Sequence, residues 1–365
     1  MNDDEMSNND TLIIETAKVQ DADLATKDIS MSVIAEAKQV EAHLFSVVAN
    51  GLYDPYIYVN IEDIQEVFTC QNEYYDESYE EALNIIAKNQ SIEALDQDAW
   101  FFVFIKAYNE VKCVYANNPL KHEFIRIDNH PDYRKIKVES QIIKALDHYQ
   151  VCALYIFKEA DHCLITGKWG TGKTLISTAH ALEDTENGCN KIFITRPPVG
   201  INTKYDIGFL PGDKEEKMSG WFAGFMSALY YIYANTRNQQ CDKDGSTFKY
   251  DIVKDRIFKE RFDTVPINAV QGMALLEGDI MIVDELQLVD IDYLSMILSR
   301  ANKGSKLILL GDLAQTYNVV RPSESGLLKL LRMLPHKSLA YVNLKNSYRS
   351  DLIKLADKLQ DKTLV

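Results

Sequence analysis

A glycine-rich turn between an apolar run and an amphipathic run is the feature of this sequence that most restricts its fold. The turn, residues 167–174, reads G-x-x-x-x-G-K-T. It follows the strand candidate HCLITG (162–167) and overlaps the start of KTLISTAHALED (173–184), a helix candidate whose apolar residues recur every three or four positions. A backbone that curls between a strand and a helix in this way directs its N–H groups inward, towards an anion. The sequence therefore predicts a loop that binds phosphate groups.

Beyond residue 138, short apolar strands alternate with amphipathic helices. The strand candidates are HCLITG, NKIFITRP, DIMIVDE, SKLILLGD and LAYVNL. Such alternation is typical of a parallel sheet that is covered by helices on both faces. We therefore expect an α/β domain over residues 138–365, with a polar insertion at 235–262.

The chain before residue 138 has a different character. Residues 1–30 hold eight acidic residues and two lysines, which predicts an acidic, flexible tail. Residues 31–137 are expected to form an accessory domain of unknown role, and the apolar spacing over 31–112 predicts that it is mainly helical. One run in it, AWFFVFIKAYNEVKCVYANN (99–118), fits either a buried helix or two strands that turn around Tyr108-Asn109-Glu110.

Composition excludes several classes of protein. The six cysteines are scattered and form no C-x-x-C pair, so we expect neither a disulfide framework nor a zinc cluster, and a reducing cytosol is the simplest location. No apolar run approaches the roughly 18 residues that a membrane span needs. The net charge is −15, yet residues 300–365 carry twelve Lys or Arg and five acids. That basic segment fits a solvated helical surface and a contact with a polyanion equally well.

The residue types in the glycine-rich turn match the chemistry of phosphate binding. The glycines allow the backbone to curl, and the start of the following helix adds a partial positive charge. The lysine is placed to reach β- and γ-phosphates, and the threonine hydroxyl to ligate Mg²⁺. The predicted binding residues are Gly167, Gly170, Thr171, Gly172, Lys173 and Thr174.

Two later strands end in polar residues that suit the same site. Asp284 follows the apolar run IMIV and is predicted to hold Mg²⁺ with Thr174, while Glu285 beside it polarises the attacking water. The strand SKLILLGD is followed by Gln315, which with Asp312 could sense the γ-phosphate. The alternatives are a strand that ends in solvated acids and a plain turn.

In order and rough spacing, the strings ITGKWGTGKTLI, ITRPPV, IGFLPGDKEEK, IMIVDELQ, SKLILLGDLAQ and LKNSYRS resemble those of PhoH-like ATPases. These proteins are similar to the motor core of superfamily 1 helicases. The resemblance implies a RecA-like P-loop core, binding and hydrolysis of ATP with Mg²⁺, and a role with RNA or another single-stranded nucleic acid. It also implies that Gln150 reads adenine, although a glutamine on an amphipathic helix is equally ordinary.

The sequence departs from this family at an arginine turn. Where the family carries Arg-Gly-Arg, the chain reads VQGMAL, with Gln271 and Met273. Two arginines remain as candidates to stabilise charge on the γ-phosphate: Arg196, after the strand KIFIT, and Arg349, in NSYRS. We expect Arg349 to act in trans, across an interface between subunits.

The resemblance carries further expectations for the whole protein. A second motor lobe is not expected after residue 349, so another subunit should complete the site in a homo-oligomer, which could be a ring. Residues 1–137 lack the Asp-Thr-Asn string of a PIN nuclease, and none is expected there. The divergent sequence would suit a phage protein acting in the host cytoplasm. A nucleotide-binding scaffold with little turnover and a P-loop kinase are the competing functions.

Overall fold

The computed structural model describes most of the chain after residue 95 and shorter stretches before it. The described residues are 8–20, 22, 24–26, 35, 38, 40, 42–44, 52–60, 83–84, 86–88, 90, 95–139, 141–186, 191–197, 222–233, 259–315 and 324–349. The chain separates into two compact units, Met1–Leu52 and Tyr53–Val365. The boundary expected near residue 138 lies inside the second unit.

In the part of the first unit that the structure describes, the elements with assigned bounds are a helix and a pair of short strands. Helix α1 spans Asn8–Val19, and strands β1 (Leu24–Thr26) and β2 (Ala42–Leu44) pair in parallel. Ile14 is fully buried, and the Thr16 hydroxyl donates to the carbonyl of Leu12. A helix therefore occupies part of the segment that we expected to be a flexible tail, because its few apolar residues include one that finds a buried position.

The second unit begins with a four-stranded sheet, which we call the accessory sheet. Its strands, in the order β3-β4-β5-β6, are β3 (Tyr56–Asn60), β4 (Phe101–Ala107), β5 (Glu110–Asn118) and β6 (Glu123–Arg126). Strands β3 and β4 are parallel, and the other pairs are antiparallel. Tyr108 and Asn109 form the two-residue turn between β4 and β5, both with positive φ.

Among the described residues of 31–137 strands predominate, so the expectation of a mainly helical accessory region is wrong for that part of it. The run 99–118 forms two strands, and of its two interpretations the buried helix is wrong. The physical reason is that β4 is buried on both faces. Phe102 and Phe104 pack in one hydrophobic cluster, whereas Phe101 and Val103 pack in another. A strand covered on both sides shows no alternation of apolar and polar residues.

A hairpin and a helix connect the accessory sheet to the rest of the unit. Strands β7 (Lys135–Val138) and β8 (Gln141–Lys144) pair antiparallel, and helix α2 runs from His148 to Glu159. The amphipathic helix expected to carry Gln150 is shorter than the apolar segment IIKALDHYQVCALYIF (142–157), because the first residues of that segment belong to β8. The helix begins only after Asp147, whose side chain caps the helix by accepting a hydrogen bond from the backbone N–H of Gln150.

A six-stranded parallel sheet, which we call the central sheet, forms the core of the second unit. Its strands are β9 (His162–Gly167), β10 (Ile192–Thr195), β11 (Phe262–Thr264), β12 (Ile280–Val283), β13 (Lys306–Gly311) and β14 (Leu339–Leu344). Their order is β11-β10-β12-β13-β9-β14, and every pair is parallel. All five predicted strands are present, and the prediction of a RecA-like core is confirmed.

The structure describes further helices in this unit. They are α3 (Lys173–Glu186), α4 (Ala223–Tyr233), α5 (Ile291–Leu298) and α6 (Gly326–Arg332), with a helical turn at Lys259–Arg261 and 3₁₀ helices at Ile267–Gly272, Leu286–Leu288 and Leu313–Gln315. Among the described helices, none is long and apolar enough to cross a membrane. The string GFLPGD (208–213) and residues 235–258 of the predicted insertion lie outside the described residues.

The accessory sheet and the central sheet share one hydrophobic core. Helix α2 is buried along almost its whole length, and its Tyr155 meets the rings of Trp100 and Phe102 at 6.4 and 6.3 Å between centroids. The indole of Trp100 also donates to the carbonyl of Lys337, just before β14 (2.7 Å). The accessory sheet is therefore packed onto the core that carries the glycine-rich turn, residues 167–174, which we call the phosphate loop.

Candidate nucleotide-binding site

The carboxyl ends of the parallel strands converge on one cavity of about 750 Å³. Parallel strands all end at the same edge of a sheet, which is where ligands bind in folds of this kind. The polar and charged residues that follow these strands and line the cavity are Lys173, Thr174, Arg196, Asp284, Glu285, Gln287, Asp312, Gln315, Tyr348 and Arg349. The structure thus brings together every catalytic and metal-binding residue that the sequence predicted.

The glycines of the loop hold conformations that other residues rarely adopt. Gly170 and Gly172 have φ of +74° and +92°. A Cβ atom at Gly170 would come within 2.7 Å of Ser347 Oγ and Arg349 Cγ, so the site also needs glycine for space. Of the predicted loop residues, Gly167 and Thr171 do not line the cavity; the Thr171 hydroxyl donates to the carbonyl of Lys168 (3.0 Å) and shapes the turn.

Lys173 lies over the loop with its ammonium on two backbone oxygens. Its Nζ donates to the carbonyls of Gly167 (2.5 Å) and Lys168 (3.0 Å). Burial lowers its pKa, while the carboxylates of the site, Asp312 foremost, oppose that shift. The lysine is therefore a buried cation whose charge the surrounding acids favour, which is suitable for a polyphosphate.

Two acids follow β12, and the backbone turns so that both face the cavity. Successive side chains of a strand point to opposite faces. Glu285 breaks that alternation because it has φ of +58°, in the left-handed region, where a residue other than glycine costs of order 1–3 kcal/mol. Asp284 is buried, and this burial, followed by the charge of Glu285, raises its pKa to about 6. A nearby cation would lower that pKa again.

Sequence reasoning missed Gln287, which is fully buried in the site. Its Nε2 donates to Glu285 Oε2 (2.5 Å), and its Oε1 accepts from the backbone N–H of Asp312 (2.9 Å). Gln287 therefore ties the end of β12 to the end of β13. Its position two residues after Glu285, in the string DELQ, was the available signal, but the contact with the neighbouring strand is visible only in the fold.

The two remaining polar predictions have partners in the site. Arg196 Nη2 lies 3.3 Å from Glu285 Oε1, so the arginine holds the carboxylate on the side opposite Gln287. Gln315 is buried and donates from Nε2 to Asp312 Oδ2. Arg196 is predicted to stabilise charge on the γ-phosphate and Gln315 to sense that phosphate. Both roles concern the site with nucleotide bound, and both stay predictions.

Gln150 is placed between helix α2 and the phosphate loop. Its Nε2 donates to the carbonyl of Thr171 (3.0 Å), and its Oε1 accepts from the backbone N–H of Leu146 (2.9 Å). The residue lines the cavity. Adenine recognition by Gln150 stays a prediction.

Arg349 lies beside the phosphate loop of its own chain. Its aliphatic carbons pack over Gly170, and its guanidinium is close enough to Lys173 to lower the pKa of that lysine. This placement favours a role for Arg349 in its own site over the expected role in trans. Gln271 and Met273, by contrast, are not among the residues that line the cavity, and their carbonyls accept hydrogen bonds from Arg300.

Comparison with known proteins places this site in a family. Residues 142–359 match the family described as PhoH-like protein. Among curated proteins, a PhoH-like protein of Synechocystis sp. is 26% identical over 59% of this chain and 61% of its own length. Protein PhoH2 of Bacillus subtilis is 31% identical over 45% of this chain and 35% of its own length. The chain thus spans between about a third and three fifths of the length of these relatives.

Solved structures show only a distant likeness. The Pif1 helicase from Candida albicans is 16% identical over 60% of this chain and 45% of that protein, with a TM-score of 0.32. The large terminase from a thermophilic bacteriophage is 15% identical over 55% of this chain and 45% of that protein, with a TM-score of 0.35.

Proposed function

The chain belongs to the PhoH-like protein family, and from that premise we propose that it binds ATP with Mg²⁺, hydrolyses it, and couples hydrolysis to a single-stranded nucleic acid, RNA in the first instance. The observation that carries the proposal is the convergence of strand ends on one cavity. The loop after β9 supplies Lys173, β12 supplies Asp284 and Glu285, and β13 supplies Gln315. Phosphate binding, metal binding and water activation need these three groups in one place.

The donor set fits Mg²⁺. Mg²⁺ is held in such sites by one or two carboxylates, a hydroxyl and the phosphates of the nucleotide. Thr174 lies in the first turn of α3 at the cavity wall, and Asp284 is a buried carboxylate whose pKa stays raised by burial and by Glu285, although Arg196 and Lys173 oppose the shift. These two residues would hold the ion, which would supply neutralisation of charge on the phosphates.

The other residues supply orientation and charge. Lys173 would exchange its two loop carbonyls for phosphate oxygens, which is favourable because the ammonium is already desolvated. Glu285 is fixed from two sides by Arg196 and Gln287 and would orient the attacking water. A base held in this way acts without reorganising, which is the condition for efficient proton transfer.

Coupling to nucleic acid is proposed through the end of β13. Gln315 bonds Asp312, and the backbone of Asp312 bonds Gln287, which in turn bonds Glu285. A change at the γ-phosphate would reach the 3₁₀ helix Leu313–Gln315 and the chain after it. The support is this continuous set of hydrogen bonds, together with the basic character of residues 300–365.

Release of phosphate from ATP by the wild-type chain, with Mg²⁺ and with or without single-stranded RNA or DNA, tests the proposal. We expect release that single-stranded RNA increases. Release that neither nucleic acid changes would remove the coupling and leave an ATPase. Tight binding of ATP without release would replace the proposal by a nucleotide-binding scaffold, which the absence of arginine at positions 271 and 273 favours. Transfer of phosphate to an added acceptor would make the protein a kinase.

Assembly into a homo-oligomer remains part of the proposal, and mixing of variants tests whether the site is shared. Arg349→Ala should lower the rate by about 10³–10⁵-fold, which is the value of an arginine on the γ-phosphate, and Lys173→Ala should lower it by about 10²–10³-fold. The packing of Arg349 on its own Gly170 leads us to expect that a co-assembled mixture stays inactive. Activity restored by mixing would show that Arg349 acts in trans.

A further inference from the structure

We propose that Asp147 is a positioning residue that fixes the segment Asn346–Arg349, which we call the arginine segment, against the phosphate loop. The inference rests on the proposed function, since Arg349 is the residue whose position it controls. Asp147 lies at the start of α2 and does not line the cavity, so it has no direct contact with the bound nucleotide in this role.

The Asp147 carboxylate uses both of its oxygens. Oδ1 accepts from the backbone N–H of Gln150 (2.7 Å), which caps helix α2. Oδ2 accepts from Asn346 Nδ2 (2.8 Å) and from the Tyr348 hydroxyl (2.6 Å). Hydrogen bonds to an ionised carboxylate are roughly twice as strong as those between neutral groups. One side chain therefore joins the helix that carries Gln150 to the segment that carries Arg349.

The arginine segment also bonds directly to the phosphate loop. The backbone N–H of Tyr348 donates to the carbonyl of Gly170 (2.9 Å), and the Ser347 hydroxyl donates to the carbonyl of Trp169 (2.9 Å). Tyr348 is thus held at its backbone by the loop and at its hydroxyl by Asp147. Because Arg349 is the next residue, the direction of its side chain depends on this double attachment.

A second anchor precedes the arginine segment, so the loss of Asp147 should displace the segment without unfolding it. Lys345 Nζ donates to the Tyr58 hydroxyl (3.1 Å) and lies 4.8 Å from the centre of the Tyr56 ring. The Tyr56 hydroxyl donates to the carbonyl of Asn343 and accepts from its N–H (2.8 and 3.0 Å). The accessory sheet therefore holds the chain up to residue 345, and Asp147 holds the arginine segment beyond it.

The variant Asp147→Ser separates the two tasks of this carboxylate. Serine is a good helix cap, so α2 should keep its start, but serine has no second oxygen for Asn346 and Tyr348. We expect kcat for ATP to fall by about 10- to 100-fold, the range for a misplaced catalytic group, with a much smaller change in the Kd of ATP. Tyr348→Phe should reproduce part of this loss, and little more should be lost in the double variant.

Asp290→Ser is the matched control. Asp290 caps helix α5 by accepting from the backbone N–H of Tyr293 (2.8 Å), and it does not line the cavity. The same exchange there should leave kcat unchanged. An equal fall in kcat in both variants would mean that a weaker helix cap, and not loss of the contact with the arginine segment, is responsible.

A double-mutant cycle with Arg349→Ala decides whether Asp147 acts through the arginine. If it does, Asp147→Ser should lower kcat in the wild-type background and have almost no further effect in the Arg349→Ala background. An undiminished effect in that background overturns the inference. Amide hydrogen exchange at Tyr348 gives a readout without activity: it should accelerate in Asp147→Ser and stay unchanged in Asp290→Ser. Unchanged exchange in both also overturns it, whereas a wild-type chain that releases no phosphate would instead overturn the proposed function.

Discussion

Ionisable side chains are buried at both ends of the strands of the central sheet. We call these ends the carboxyl edge and the amino edge, and the side chains have different surroundings at each. At the carboxyl edge, Lys173, Asp284 and Glu285 line the cavity. At the amino edge, Lys306 donates from Nζ to the carbonyl of Phe157, which lies in the last turn of helix α2. Asp184, near the end of α3, has a pKa raised to about 6 by burial, the same value and the same first cause as for Asp284.

The amino-edge groups contact other parts of the fold and not the cavity. His162 Nδ1 accepts from the backbone N–H of Leu307 (3.1 Å). His180 stacks on Phe157 with ring centres 4.7 Å apart, and burial, with the nearby Lys306, holds its pKa well below the usual range. None of these residues, among those the structure describes, lines the cavity. A perturbed pKa is therefore shared by both edges, and strand direction is what distinguishes the candidate site.

The largest expected difference between the two edges is the effect on hydrolysis of replacing a glutamate at each of them. Glu285→Gln keeps the shape of the side chain but removes the charge that orients water, so hydrolysis should fall by about 10²–10⁴-fold while ATP still binds. Glu183→Gln is the control at the amino edge, where Glu183 accepts from the backbone N–H of Lys137 (2.8 Å) and pairs with Lys158 (3.5 Å). Single-turnover phosphate release measures both variants. Hydrolysis that persists in Glu285→Gln would mean that another group activates the water.

Lysine provides the second contrast. Lys173→Ala removes a direct phosphate partner, and by analogy with the loss of one oxyanion donor we expect a fall of about 10²–10³-fold in turnover, together with weaker nucleotide binding. Lys306→Ala removes a cation that donates to a backbone carbonyl away from the cavity, so it should lower the free energy of unfolding and leave turnover unchanged. Turnover is measured well below the melting temperature of each variant. Unchanged turnover in Lys173→Ala would contradict the proposed ATPase.

The sequence alone predicted those parts of the site whose residues are close together in the chain. The strand, glycine-rich turn and helix around residue 170 are adjacent in the chain, and β10, β12 and β13 are each followed by polar residues that line the cavity. Because parallel strands end at one edge, those separate strand ends could be assigned to a single site before the fold was known.

Contacts between distant parts of the chain could not be predicted in this way. Asp147 and Tyr348 are 201 residues apart, and neither has a neighbour in sequence that indicates the other. Gln287 faces Glu285 locally, but its second partner is on another strand. The run that forms β4 and β5 could not be assigned to a helix or to strands, because burial on both faces of β4 removes the period that separates strands from helices.

The smallest expected effect concerns stability, and it compares the two aspartates whose pKa is raised to about 6. A carboxyl group whose pKa is higher in the folded state than its ordinary 3.8 stabilises the fold fully below about pH 4, and that contribution is lost as the pH rises through 6. At pH 7 the buried charge of Asp284 is therefore unfavourable. Asp284→Asn should raise the free energy of unfolding without nucleotide by about 1–3 kcal/mol and flatten its dependence on pH between about 4 and 6.

Asp184→Asn should change stability in the same direction but by less, because that side chain is 32% exposed. The two variants should respond differently when Mg²⁺ and ATP are added. The wild-type chain and Asp184→Asn should gain stability from the ligands, since whatever binds only the folded state stabilises it. Asp284→Asn should gain much less, because the carboxylate proposed to hold the ion is gone. Equal stabilisation of all three proteins by Mg²⁺ and ATP would mean that Asp284, like Asp184, is a buried acid of the fold and not part of a metal site.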